Sequence, residues 1–188
     1  MSGDAGRAAG QPPVATPGVG TPRSGTPRVG TPFVVPALPP GATMALWPLG
    51  ALADGGEPGQ PLYVSAGKWL HPLFDLLEDR ATLEHAGDLF LRDRVIGRGA
   101  AFLILRAGIR NAWADVVSDG AMSVFAAHGA SLGGGELVPA IACRTEPLLR
   151  DVDDPDLAWK LLRQRRAAGR ARSPGLEAPL RVRLAGPD

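Results

Sequence analysis

The stretch Asp93-Arg94-Val95-Ile96-Gly97-Arg98-Gly99-Ala100-Ala101 decides the fold, because it runs a strand-like segment directly into a helix start made of small residues. Its downstream echo is Val116-Val117-Ser118-Asp119-Gly120-Ala121. Each reads as a strand feeding a buried helix, which predicts an α/β chain. Open α/β sheets hold their ligands at such strand-to-helix junctions. The two stretches therefore say where a site belongs, without saying what reaction takes place there.

Working outward, Leu89-Phe90-Leu91 is an apolar run of a buried strand. Gly97 to Ala107 is apolar almost all round through Phe102, Leu103, Ile104 and Leu105, so this helix belongs inside the domain. Gly97, Gly99, Ala100 and Ala101 let backbone or ligand approach its first turn. Gly108 ends it, and Ile109 to Val117 is the next strand, helped by Trp113 and paired valines. Ser118 is the expected N-cap of a helix from Asp119 to His128, with Asp119 favoured by the helix dipole and Gly129 as its stop. His128 then satisfies last-turn carbonyls.

Upstream, Leu62-Tyr63-Val64 is a short strand, and Trp69 to Asp79 is an amphipathic helix with Leu70, Leu73, Phe74 and Leu77 on one face. Pro72 falls in its first turn, where the missing N–H does little harm, and His71 is read as a surface residue. Downstream, Gly133-Gly134-Gly135 reads as a loop, followed by a strand from Leu137 to Ala142 that Pro139 demotes to an edge. Asp154-Pro155 starts a last helix that runs to about Arg166 through Leu157, Trp159, Leu161 and Leu162.

The 25 Gly and 19 Pro of the 188 residues concentrate outside this region. Residues 1 to about 57 are rich in Gly, Pro, Ala and Thr, with Gly-Thr-Pro at Gly20, Gly25 and Gly30; such a segment cannot offset its ordering entropy and is expected to be a disordered tail. Met44-Ala45-Leu46-Trp47 is an apolar interruption with the option of docking on the domain. Order is expected from near Pro61, with a domain over residues 60–166. Residues 167–188 return to Arg, Gly and Pro as a second disordered tail, whose arginines offer contacts to RNA or anionic lipid as the alternative to plain solvation.

A net charge of +1 gives no electrostatic case for nucleic acid as a partner. Cys143 is the one cysteine, which excludes an internal disulfide framework and suits a reducing compartment. The first residues do not read as a secretory signal, and no apolar run reaches the roughly 18 residues of a membrane span. The expected location is the cytoplasm, with no membrane contact.

The ordered set of patches resembles one family. It comprises the Asp93–Ala101 stretch, Ser118 with Ala121, His128-Gly129, and Val138-Pro139-Ala140-Ile141-Ala142-Cys143-Arg144. The family is one of small bacterial and archaeal proteins, a domain of unknown function assigned to the cytidine deaminase-like fold. The resemblance covers about residues 60 to 166. It implies a three-layer α/β/α arrangement with a small mixed sheet, preceded by a hairpin of which Leu62 to Val64 is the shortened remnant. Asp93, Gly97, Ala100 and Ala101 match the family at the first junction, and Ser118 and Ala121 at the second. Members often carry an Asn-Arg pair after the Pro-containing strand and then a Cys-Pro-x-Glu patch. Arg144 suits the first; Cys143 and Glu146 stand for the second if the loop between is deleted.

The deaminase fold name does not bring its metal. A zinc deaminase needs a His or Cys and a Glu at the first buried helix start and a Pro-Cys-x-x-Cys at the second. Gly97-Arg98-Gly99 and Ser118-Asp119-Gly120-Ala121 occupy those places, so zinc-dependent deamination is excluded and no cofactor is predicted. What remains is a pair of helix starts rich in glycine and hydroxyl, whose free N–H groups favour an anion. The expected ligand is a small, nucleotide-like anionic metabolite contacting Asp93, Gly97, Gly99 and Ser118, with Arg144 as counter-charge. Asp93, placed at the end of its strand, is the candidate acid or base, and whether the chain is an enzyme stays open. Cys143 is read as an inert thiol. The competing reading is a non-catalytic interaction or scaffold module that binds through its tails.

Overall fold

The computed structural model describes residues 34–52, 57–84, 86–172 and 181–182. Five strands and six helices make a mixed α/β unit: β1 (Met44–Pro48), β2 (Tyr63–Ser65), α1 (His71–Glu78), α2 (Arg80–Leu83), β3 (Leu89–Ile96), α3 (Arg98–Arg106), β4 (Asn111–Ser118), α4 (Asp119–Ala127), β5 (Ser131–Val138), α5 (Thr145–Leu148) and α6 (Pro155–Arg172). A two-residue strand, β6 (Arg181–Val182), pairs antiparallel with β2 at the sheet edge. The sheet order is β5-β4-β3-β1-β2-β6. The β3, β4 and β5 strands are parallel, as their helical crossovers α3 and α4 require, while β1 runs antiparallel to both β2 and β3.

Order starts well before Pro61. Met44, Ala45, Leu46 and Trp47 are all buried in β1, so the tail expected over residues 1–57 includes an interior strand; residues 1–33 lie outside the described residues. The hairpin before α1 is no remnant either. β1 supplies its first arm and pairs Met44 with Ser65, Ala45 with Val64 and Leu46 with Tyr63. Trp47 Nε1 donates to the Gly59 carbonyl at 2.9 Å, so the indole is buried with its polar atom satisfied.

All the buried helix faces share one core. Leu73, Phe74 and Leu76 of α1, Ala100 to Leu105 of α3, Ala121, Val124 and Phe125 of α4, and Ala158 and Leu162 of α6 pack with Met44, Leu46, Leu89, Leu91 and Ala112 on one sheet face. The opposite face carries Ala45, Trp47 and Phe90. Leu52 and the half-buried Val35, Leu38 and Leu49 cover it in place of an α-helix. The expected three-layer arrangement is thus corrected to a helical layer on one face, with the segment from Val35 to Leu52 closing the other. Arg92 also lies on that second face, its guanidinium 4.2 Å from the Trp113 ring centroid and 2.5 Å from Asp115 Oδ1.

The glycine run is a strand and not a loop. A Cβ on Gly133 would sit 2.7 Å from Trp113 Cδ1, and one on Gly134 would sit 2.6 Å from Val117 Cγ2, so β5 lies close under the side chains of β4 and only glycine fits. The strand expected over Leu137 to Ala142 is accordingly displaced to Ser131–Val138, and Pro139 ends it. The last helix runs on to Arg172, past the expected stop at Arg166, so residues 167–172 belong to α6. Arg166 is part of the packing: it meets Glu78 Oε1 at 2.9 Å and Asp75 Oδ1 at 3.3 Å, with its guanidinium 4.6 Å from the Phe74 ring centroid. Among the described residues no helix is long and apolar enough to cross a membrane.

Candidate functional site

The two strand-to-helix junctions converge as their sequences require. The N-cap of α3 is Gly97, in extended conformation and with no side chain to cap the first turn. The N-cap of α4 is Ser118, whose Oγ accepts from the Ala121 amide at 3.1 Å. α3 and α4 pack side by side in the same core, so their positive ends lie together at the carboxyl ends of β3 and β4.

An internal carboxylate occupies that place. Glu146, on the short helix α5, puts Oε1 2.9 Å from the Arg98 amide nitrogen, 48 residues away in sequence. The same oxygen lies 2.6 Å from where a Cβ on Gly97 would stand, and Glu146 Oε2 lies 3.3 Å from the corresponding point at Gly120. One carboxylate therefore reaches both helix starts, and the absence of a side chain at each is what admits it. Ile141 supports it from the side, 3.1 Å from the same Gly97 position.

Beside Glu146 lies a cleft of about 520 Å³, lined by Arg98, Gly120, the Pro139–Arg144 segment, Glu146, Pro147 and Arg150. Three arginines, Arg98, Arg144 and Arg150, thus line one concavity. Arg98 is 8 % exposed; one nitrogen donates to the Val152 carbonyl and to Asp153 Oδ1, each at 2.7 Å, while its buried Nε has no hydrogen-bond partner. Cys143 also lines the cleft, half-buried, with Sγ 3.0 Å from Thr145 Oγ1.

The residues singled out in the sequence divide between these features. Gly97 is at the Glu146 seat, and Arg144 lines the cleft. Gly99 faces Leu70 and Thr145, each 3.4 Å from its Cβ position, and so serves close packing. Ser118 is fully buried and spends its hydroxyl oxygen on its own helix. Asp93 does not line the cleft and is not at the end of its strand, since β3 continues to Ile96. Its Oδ1 accepts from the Arg94 amide at 2.6 Å and the Val95 amide at 3.2 Å. Loss of hydration nevertheless pushes its carboxyl up to about 7, against those two amides and Arg92, with Asp115 adding to the rise. His128 caps α4 through Nδ1, 2.8 Å from the Val124 carbonyl.

Arg98 and Arg150 carry cleft charge that pattern reading missed. Arg98 lay inside the quoted stretch, but a charge in an apolar helix start signals a solvent-facing turn; only the fold of the chain after β5 shows it walled in. Glu146 was visible through family resemblance alone.

The family model for a domain of unknown function, DUF1893, matches residues 57–165. The crystal structure of a DUF1893 family protein from Thermotoga maritima matches with a TM-score of 0.56 at 18% sequence identity, over 66% of this chain and 80% of that one. At that identity the likeness is one of fold. No curated protein matches the chain. The family match takes in both helix starts, the Glu146 seat and every residue of the arginine-lined cleft, and on its extent the chain belongs to the DUF1893 family.

Proposed function

We propose that the chain is a metal-free domain of cytidine deaminase-like fold that binds a small anionic, nucleotide-like ligand in the cleft of Arg98, Arg144 and Arg150. The strand order with an antiparallel hairpin beside three parallel strands supports the fold reading. The observation that carries the ligand reading is the Glu146 carboxylate held across the starts of α3 and α4, because the chain itself has placed an anion where the two helix ends favour one. A phosphate entering the cleft meets guanidinium groups able to bind it in bidentate fashion.

The zinc of the deaminases does not fit these residues. The side chains at the two helix starts are Arg98, Ser118 and Asp119, and among the described residues no three His, Cys, Asp or Glu side chains come together. No step is drawn through a metal. The chemistry available in the cleft is binding and orientation by arginine, beside the Glu146 carboxylate and the Cys143 thiol.

Isothermal titration of the full chain with inorganic phosphate and adenosine 5′-monophosphate tests this reading. Saturable binding is expected, weakened about 10-fold by Arg144→Ala or by Arg150→Ala. Glu146→Ala, which empties the seat at the Arg98 amide, is expected to tighten phosphate. Absence of heat from either anion at millimolar concentration overturns the proposal.

A further inference from the structure

The second half of α6 is helical without an apolar stripe to hold it. From Arg163 to Arg172 it carries no apolar side chain larger than alanine, and no acidic residue that could pair with a cation three or four positions away. Ala167, Ala168 and Gly169 are exposed in succession, which takes in most of a turn. Gly169, seven residues on from the buried Leu162 and on the same side of the helix, has open space at its Cβ position. The helix therefore runs off the body of the domain into solvent, and an ordered end of that composition calls for a use.

Positive charge is concentrated there. Residues 157–172 hold six lysine and arginine residues and no acidic one, so the net charge of +1 averages a basic helix against an acidic remainder. Asp75 and Glu78 pair with Arg166, and Asp156, the single acid of α6, pairs with Arg106 of α3 at 3.1 Å. Lys160, Arg163 and Arg165 are exposed, and among the described residues none of them has a carboxylate within salt-bridge distance. Arg106 and Arg163 both sit over Trp159, at 4.6 and 5.5 Å from its ring centroid, which joins the end of α3 to this basic face. The helix dipole favours cations only in the last turn, and Lys160 and Arg163 lie well before it.

We infer that the exposed basic face of α6 is a docking surface for the phosphate backbone of double-stranded DNA. It is separate from the arginine-lined cleft, to which no α6 residue contributes, and it stands without the anion-binding reading above. Its charge complements a polyanion, since a row of unpaired cations along a helix is the electrostatic footprint of one. The form of the polyanion follows from shape. A helix about 10–12 Å across fits the roughly 12 Å major groove of B-form DNA, whereas the deep groove of A-form RNA is too narrow for it. A single strand needs open rings on which to stack its bases, and Trp159 is already engaged by Phe74, Arg106 and Arg163. A membrane needs large apolar residues on the face that meets it; beyond Leu157 this face presents Lys160, Arg163, Gln164 and Ala167, all exposed. Contacts to phosphate alone make the binding salt-dependent and indifferent to base sequence.

The test is fluorescence anisotropy of a labelled duplex of about 20 base pairs titrated with the full-length chain in about 50 mM salt. Unlabelled duplex, its single strand, and vesicles of phosphatidylserine and phosphatidylcholine serve as competitors. Saturable binding is expected, with the unlabelled duplex the strongest competitor whatever its sequence. The triple variant Lys160→Ala, Arg163→Ala, Arg165→Ala keeps good helix formers along α6. It is expected to bind the duplex about 10-fold or more weakly, and to lower the slope of log affinity against log salt by about 2–3, roughly one for each phosphate contact removed. The variant Lys160→Arg, Arg163→Lys, Arg165→Lys keeps the charges and should stay within about 3-fold of the wild type. Absence of duplex binding, wild-type affinity and salt slope in the alanine variant, equal loss in the charge-preserving variant, or stronger competition by the single strand or the vesicles each overturns the assignment.

Discussion

Asp93 couples the sheet to pH. Its carboxyl is raised from 3.8 to about 7 in the folded chain, mainly because burial removes water from the charged form. Between those two values the folded state holds a proton that the unfolded state has released, so stability falls as pH rises. The contribution of this group is complete below about pH 4 and is lost as pH passes through about 7. Asp93→Asn keeps an oxygen to accept from the Arg94 and Val95 amides while removing the charge. The variant is expected to exceed the wild type by about 1–2 kcal/mol at about pH 8, the margin shrinking to nothing near pH 4. Thermal unfolding of both proteins across that range measures it, and a margin that grows toward acid pH would contradict the assignment. Asp93 stood out in the sequence as a strand-end carboxylate. Its actual surroundings depend on β1, which pairs Met44 opposite it and which local reading took for part of a tail.

At the scale of elements, the helices were the legible part and β5 was not. Gly108 and Gly129 end α3 and α4 with φ of +81° and +62°, and Ser118 caps α4 through its hydroxyl, all of which are local effects that a local pattern reveals. β5 inverts that logic, because glycine is poor in strands by itself and is selected at Gly133 and Gly134 by Trp113 and Val117 of the neighbouring strand. No pattern within Gly133-Gly134-Gly135 records those neighbours. Gly133→Ala and Gly134→Ala should each cost about 1–3 kcal/mol, since neither an indole nor a branched valine pinned in the sheet can swing away. Gly169→Ala carries the opposite sign. Gly169 sits in α6 with open space at its Cβ position, and the substitution should gain about 0.5–1 kcal/mol by restricting the unfolded chain. Urea unfolding of the three variants compares them directly, and unchanged stability in Gly133→Ala and Gly134→Ala would show that crowding does not govern β5.

For the molecule as a whole, the decisive strand is the one furthest from any sequence signal of order. β1 sits between β3 and β2, so it joins the parallel half of the sheet to the hairpin, and its five residues place side chains on both faces. Met44, Leu46 and Trp47 are almost completely buried, which by transfer energies contributes roughly 5–9 kcal/mol, comparable to the whole stability of an ordinary domain. The segment was legible only as an apolar interruption in a Gly/Pro-rich region, because a strand of five residues is defined by the partners it finds at Tyr63–Ser65 and Leu89–Asp93. The family match itself begins at residue 57, beyond β1. A chain comprising residues 58–188 would leave facing edges of β2 and β3 without their ladder, and the core side of Leu91 without Leu46. It is expected to lack a cooperative thermal transition, and a peptide of residues 34–52 added in trans should restore one by supplying β1 together with Val35, Leu38 and Leu52 for the helix-free face. Calorimetry with and without the peptide decides the matter: a cooperative transition near the full-length Tm in the shortened chain alone would mean that β3 and β2 close the sheet without β1, and that the helix-bearing half, with its arginine cleft, is the folding unit.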